Sequence, residues 1–232
     1  MNAAAGSSGA AGPHRTRVKI CGLTRPEDLD AAVASGVDAV GLVFYPPSRR
    51  CLALEQAQAL RVRVPAFVSV TALFVNPDPQ SVRQVIDTVR PDLLQFHGEE
   101  SPDFCASFGV PHLKAFRVGA PGQDTPAGLA RACEAHGQAA GWLFDSYSAG
   151  YGGSGSGFDL DLLADIPRGA AVPALILSGG LTADSVGARL AAVQPFAVDV
   201  SSGVETAPGI KDPARMVAFM RAVRDADTAR MA

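Results

Sequence analysis

From residue 17 onward the chain repeats one unit: a short β-branched or apolar run that ends in Gly, Asn, Asp or Ser, then a segment of helical period. The runs are Val18–Cys21, Ala39–Phe44, Phe67–Phe74, Leu93–Phe96, Leu113–Phe116, Trp142–Asp145, Ala174–Leu177 and Ala197–Val200, eight in all. Strands that alternate with helices pair in parallel through right-handed crossovers, which makes the class α/β. Two architectures use this pattern, a closed (β/α)8 TIM barrel and an open doubly wound sheet. The open sheet places a GxGxxG turn after its first strand, and here Cys21-Gly22-Leu23-Thr24 stands in that place. Eight units in 232 residues fit a barrel, which commonly runs to about 250. The expectation is a single-domain TIM barrel over residues 17–226, with residues 1–16 a disordered tail and 227–232 a short C-terminal tail.

Local signals place the helices. Thr24-Arg25-Pro26-Glu27 reads as a capping box, with Leu29, Ala32 and Val33 as the inward stripe and Gly36 as the left-handed stop. Val82, Val85, Ile86 and Val89 keep helical spacing before Pro91, and Asp212-Pro213 opens a last helix with Met216, Val217, Met220 and Val223 facing inward. The first 16 residues are rich in Ala, Gly and Ser and lack the apolar core of a signal peptide. No apolar run reaches the roughly 18 residues of a spanning helix. Cys21, Cys51, Cys105 and Cys133 stand far apart, without CxxC or metal-like spacing. These features predict a soluble cytoplasmic protein that binds no membrane. A net charge of −3 excludes a basic nucleic-acid surface, so an anionic substrate must be held by local donors.

In a barrel of this kind reactive groups gather at the C-terminal ends of the strands. Cys21 closes the first strand on the same face as Lys19. It is either packing or, at a barrel mouth, a base or nucleophile whose thiol pKa a nearby cation would have to lower. Asp145 closes the sixth strand and is either a helix cap or a carboxyl tuned by desolvation to act as a general acid. Ser178-Gly179-Gly180 and Ser201-Ser202-Gly203 follow the seventh and eighth strands. Two small-residue loops at those strands mark a phosphate site, because backbone amides can approach the oxygens only where no side chain intervenes. Tyr151-Gly152-Gly153-Ser154-Gly155-Ser156-Gly157 reads either as a flexible linker or as a flap over that site. Arg49 and Arg50 are solvated surface, or else a guanidinium placed for a carboxylate. Gln95, His97 and Asp199 are further polar strand-end groups, and His97 lacks the neighbours of a metal ligand.

Taken in order, Lys19-Ile20-Cys21-Gly22-Leu23-Thr24, Gly41-Leu42-Val43-Phe44 with Ser48-Arg49-Arg50, Gln95-Phe96-His97-Gly98-Glu99, Tyr151-Gly152-Gly153-Ser154-Gly155, Leu177-Ser178-Gly179-Gly180-Leu181 and Val198-Asp199-Val200-Ser201-Ser202-Gly203-Val204-Glu205 resemble the phosphoribosylanthranilate isomerases. The likeness runs from about Val18 to Val223. It implies an Amadori rearrangement in tryptophan biosynthesis, with a small phosphosugar substrate, no cofactor and no metal, in a monomer or homodimer. Asp145 would be the general acid and Cys21 the general base. Arg50 would bind the substrate's carboxylate, with Gln95, His97 and Asp199 lining the substrate site. Gly179, Gly180, Ser201, Ser202 and Gly203 would hold phosphate, with Gly152 and Gly153 on the covering loop. Ser156, Leu160 and Cys51 depart from residues common in the family, at the loop and in helix packing. The histidine-pathway isomerase carries Asp where Cys21 stands. Indole-glycerol-phosphate synthase uses lysine chemistry, for which Lys19 and Lys114 are available, but has a longer N-terminal helical extension. A non-catalytic phosphate-binding barrel would keep the glycine loops and lose the acid–base pair.

Overall fold

The computed structural model describes residues 15–147 and 157–231. Eight parallel strands close into a barrel in chain order: β1 (Arg17–Cys21), β2 (Ala39–Val43), β3 (Ser69–Phe74), β4 (Leu93–Phe96), β5 (His112–Val118), β6 (Gly141–Ser146), β7 (Ala174–Leu177) and β8 (Ala197–Val200). Pairing of β1 with β8, Lys19 opposite Asp199, completes the ring. Helices α1 (Pro26–Ser35), α2 (Leu54–Arg61), α3 (Pro79–Val89), α4 (Pro102–Ala106) and α5 (Pro126–Ala135) follow the first five strands in turn. Next come α6 (Ala183–Val193) after β7 and α7 (Pro213–Met231) after β8. No described helix is long and apolar enough to cross a membrane. The expected eight-strand TIM barrel is the observed architecture.

Strand alternation sorts side chains into two layers. Val18, Ile20, Leu94, Phe96, Trp142, Phe144, Val198 and Val200 point outward into the core shared with the helices. Inside, Leu113, Ala115, Leu143, Ile176 and Ala197 form a small apolar cluster contributed by β5–β8. The remaining interior is polar and buried, with Lys19, Thr71, Gln95 and Asp199 from β1, β3, β4 and β8. A barrel this narrow is filled by side chains, so these groups form a floor under the mouth.

Several local expectations give way to tertiary contacts. The capping box at Thr24 does not form. The N-cap of α1 is Arg25, without a side-chain cap, and the Thr24 hydroxyl donates instead to the Gly209 carbonyl at 2.6 Å. On α1, Asp28 is buried with Leu29 and Ala32, while Val33 is only half-buried. On α7 the buried stripe is Met216, Phe219, Met220, Val223 and Asp227, and Val217 is exposed. The stripe centres on Met216, and Val217, one residue on, is turned about 100° away from that centre. β3 starts at Ser69 because Phe67 sits at φ 70°, outside the strand region. After β6 the described crossover contains a 3₁₀ turn, Leu160–Leu163, in place of the expected helix; Pro167, Gly169 and Pro173 interrupt the following segment.

α7 also continues past residue 226 to Met231. Its buried Asp227 carboxylate accepts from the Thr16 amide and the Thr16 hydroxyl, both at 2.7 Å, and so ties the start of β1 to the last helix. Hydrogen bonds to a charged group contribute about 1.5–3 kcal/mol, and a buried amide left without an acceptor costs a similar amount. Asp227→Ala is therefore expected to lower stability by about 2–3 kcal/mol, seen as a lower urea midpoint with an unchanged slope. The rest of the predicted N-terminal tail, residues 1–14, lies outside the described residues.

Candidate active site

The C-terminal strand ends surround an open pocket, the place where this fold gathers its reactive groups. Cys21 enters it from β1, Gln95 from β4, Asp145 from β6 and Asp199 from β8, with Arg50 on the loop after β2 and His97 on the loop after β4. Val43, Tyr45, Leu73, Val75 and Leu181 supply apolar wall. Six polar groups named from sequence thus meet in one cavity.

Cys21 is buried against β2. An added Cβ at Gly41 would stand 2.6 Å from the Cys21 sulfur, so this glycine makes room for the thiol. Beneath it the Lys19 ammonium lies 2.9 Å from an Asp199 carboxylate oxygen, with both side chains almost fully buried. Burial pulls Lys19 down, but Asp199 and Cys21 outweigh it and hold the ammonium above its ordinary value. For Cys21 burial pushes the thiol up; Lys19 and Lys211 oppose it without cancelling it, and Asp199 adds to the rise. The cation expected beside the thiol is present, and the thiol still titrates above its usual range.

Asp145 belongs to a second polar group. One of its oxygens accepts from the Ser146 amide at 2.8 Å, and the other lies 3.4 Å from His97 Nε2. Gln95 Nε2 is 3.2 Å from His97 Nδ1. An amide donating into Nδ1 leaves the imidazole proton on Nε2, directed at Asp145. The loop carrying His97 is pinned by the buried Glu100, which accepts from the Asn76 and Gly98 amides and pairs with Lys114 at 2.8 Å. His97 thus acts on a carboxylate.

The β7 and β8 loops pack without room for side chains. Gly179 and Gly180 have φ of 81° and 64°. A Cβ on Gly203 would stand 1.9 Å from the Leu181 carbonyl oxygen, so the two loops touch backbone to backbone. The 3₁₀ turn Ser202–Val204 begins here, and first-turn amides have no partner inside their own helix. Amides of this kind suit a phosphate. The Ser201 hydroxyl is otherwise engaged: it donates to the Cys21 carbonyl at 3.0 Å and lies 3.3 Å from Lys211 Nζ. Gly152 and Gly153, with Tyr151 and Ser154–Ser156, lie outside the described residues.

Arg50 bends over Gly22, where a Cβ would meet its Cδ at 2.3 Å. Its Nε and Nη2 make a two-pronged contact with Glu205 at 2.8 and 2.6 Å. Lys211, which the sequence did not single out, reaches the same carboxylate at 2.8 Å. It stands on a two-stranded hairpin, β9 (Glu205–Ala207) with β10 (Ile210–Lys211), that follows the 3₁₀ turn. No periodicity announces a two-residue strand. Tyr45 was likewise passed over, since its only signal is its place after β2.

Comparison with known proteins follows from this geometry. A family model described as N-(5'phosphoribosyl)anthranilate (PRA) isomerase matches residues 18–222. An N-(5'-phosphoribosyl)anthranilate isomerase of Bordetella petrii is 61% identical over 213 residues, covering 92% of this chain and 97% of the relative. The crystal structure of phosphoribosyl anthranilate isomerase from Thermotoga maritima is similar with a TM-score of 0.81 at 38% identity, covering 90% of this chain and 99% of that one. Another, solved in complex with reduced 1-(o-carboxyphenylamino)-1-deoxyribulose 5-phosphate, has a TM-score of 0.76 at 35% identity, with the same coverage.

Proposed function

The chain belongs to the N-(5'-phosphoribosyl)anthranilate isomerase family, and we propose that its pocket performs the family's rearrangement with Asp145 as general acid and Cys21 as general base. The reaction is the Amadori conversion of N-(5-phosphoribosyl)anthranilate to 1-(2-carboxyphenylamino)-1-deoxyribulose 5-phosphate, a step of L-tryptophan biosynthesis. The observation that carries the residue assignment is the pairing of a thiol and a carboxyl, on β1 and β6, in one pocket whose β7 and β8 loops present glycine backbone.

In this reading the β7 and β8 loops, through Gly179, Gly180, Ser202, Gly203 and the Ser201 backbone, hold the phosphate. Gly152 and Gly153 add amides from the loop after β6. Arg50 takes the aromatic carboxylate and Tyr45 lies along the ring. The Asp145 carboxyl gives its proton to the ribose ring oxygen; the C1–O bond breaks as the nitrogen lone pair forms the C1–N double bond. The Cys21 thiolate then removes the proton on C2, and that electron pair moves toward the iminium nitrogen to give an enolamine. Protonation at C1 with loss of the C2 hydroxyl proton yields the ketone. The iminium is the electron sink, so the chemistry needs no cofactor. Gln95 holds His97, and His97 holds Asp145. Lys19, paired with Asp199, stabilises the Cys21 thiolate that precedes proton abstraction. The four free cysteines fit a reducing, cytoplasmic setting.

Purified protein mixed with freshly made phosphoribosylanthranilate, without metal or cofactor, is expected to quench the anthranilate-type fluorescence promptly. Binding without turnover would favour the non-catalytic barrel, and the histidine-pathway aminoaldose would then be tried.

A further inference from the structure

The Arg50 guanidinium reaches the pocket already clamped by Glu205, which leaves Nη1 with no hydrogen-bond partner among the described residues. A clamped arginine is well oriented, but an arginine–glutamate pair is neutral and attracts a carboxylate weakly. Neighbouring charges offer no remedy, because Lys19 pairs with Asp199 and Arg25 with Asp28. Arg215 meets the Glu205 backbone carbonyl and pairs with Asp212, so among the described residues Lys211 is the cation besides Arg50 that meets the Glu205 carboxylate itself. The Lys211 side chain is fully buried, so it cannot touch a ligand in the pocket. Its Nζ lies 2.6 Å from the Cys21 carbonyl oxygen, 3.1 Å from that of Ser201 and 2.8 Å from Glu205 Oε1. With Ser201 Oγ at 3.3 Å, four oxygens lie within reach, a surround that suits the three donors of an ammonium better than the two of a neutral amine.

We propose that Lys211 is a positioning and specificity residue for the substrate's carboxylate: it neutralises Glu205, so that Glu205 can fix Arg50 without cancelling its charge. Glu205 supplies geometry, Lys211 restores the net positive charge, and Arg50 makes the contact. This rests on the reading of Arg50 as the carboxylate's partner. Burial pulls the Lys211 ammonium below its ordinary value, and Glu205 opposes that pull without cancelling it. Burial would raise the Glu205 carboxyl, but Arg50 and Lys211 hold it below its ordinary value. The Glu205 direction accords with a carboxylate held between two cations, while for Lys211 it is the surrounding oxygens that call for an ammonium.

The test measures calorimetric affinity for two ligands, reduced 1-(2-carboxyphenylamino)-1-deoxyribulose 5-phosphate and its phenylamino counterpart without the carboxylate. Lys211→Met is expected to weaken the first by about tenfold or more, the scale of one uncompensated charge at short range in protein, while moving the second less than about threefold. Glu205→Gln added to Lys211→Met returns the corner to a single positive charge and is expected to recover most of the loss. Equal weakening of both ligands, or a double variant worse than the single, would mean that Lys211 acts only as a buried strut and would overturn the proposal. Should Lys211→Met not fold, Glu205→Gln carries the test alone. Glutamine keeps one oxygen to hold Arg50 and removes the opposing charge, so the variant is expected to hold the carboxylated ligand within about threefold of the parent or better, and a selective loss of about tenfold or more overturns the proposal. Arg50→Met separates the two readings. If it discriminates between the ligands and Lys211→Met does not, only this inference falls; if it does not discriminate, the assignment of Arg50 falls first.

Discussion

Cys21→Ala is expected to lower kcat/KM by about 10³-fold, within the 10²–10⁴-fold typical of a general base, while the barrel stays folded and binds the reduced product analogue within a few-fold of the parent. The thiol is small and lies on a buried strand beside Gly41, so its loss leaves a modest cavity and disturbs no hydrogen bond of the β1 backbone. The pH profile gives an independent check. Cys21 titrates above its ordinary value because burial outweighs Lys19 and Lys211, and the protonated thiol cannot accept the C2 proton. Activity in kcat/KM should therefore rise with pH on a limb whose midpoint lies above that of a free thiol, and fall tenfold per unit below it. That limb should vanish in Cys21→Ala. Turnover near the parent's would remove Cys21 from the mechanism.

What the chain disclosed about itself follows the range of the interactions involved. Eight strands were readable because a parallel strand buried on both faces is a continuous apolar run, and Leu93–Phe96, Ala174–Leu177 and Ala197–Val200 have the bounds expected. Cys21, Gln95, Asp145 and Asp199 were readable because each is a polar residue that ends or interrupts such a run, and a closed barrel brings every strand end to one mouth. The details that escaped depend on residues far away in the chain. Thr24 turned from its own helix to Gly209, 185 positions on. Arg50 was seen as a cation for a ligand, but its clamp by Glu205 spans 155 positions. The Ser201 hydroxyl, on a loop read as a phosphate site through its backbone amides, bonds the Cys21 carbonyl 180 positions earlier. Local pattern cannot decide among acceptors that only the closed barrel brings into reach. Thr71 and the pairing of Lys19 with Asp199 are hidden for another reason: inside a barrel, polar residues at interior positions look like errors of strand patterning until their partners are in place.

Asp145→Asn is expected to cost about 10²–10⁴-fold in kcat, with the loss confined to the step that opens the sugar. Asparagine keeps the shape of the side chain and an oxygen able to accept from the Ser146 amide, so the strand end should hold its place. What asparagine lacks is an acidic O–H for the ribose ring oxygen. An open-chain ligand needs no such proton, so affinity for the reduced product analogue should remain within a few-fold of the parent while turnover collapses. That split separates a lost acid from a disturbed pocket, which would weaken both. His97 is the rival acid, since its Nε2 stands 3.4 Å from Asp145 and faces the same cavity. Its Nδ1 is held by Gln95, an arrangement that orients the ring to donate to Asp145. His97→Asn should accordingly cost less than Asp145→Asn, and the double variant should be little worse than Asp145→Asn alone, because a residue acting through another loses its effect once that other is gone. Should Asp145→Asn retain turnover within tenfold of the parent while His97→Asn does not, the acid is His97 and Asp145 is its orienting partner.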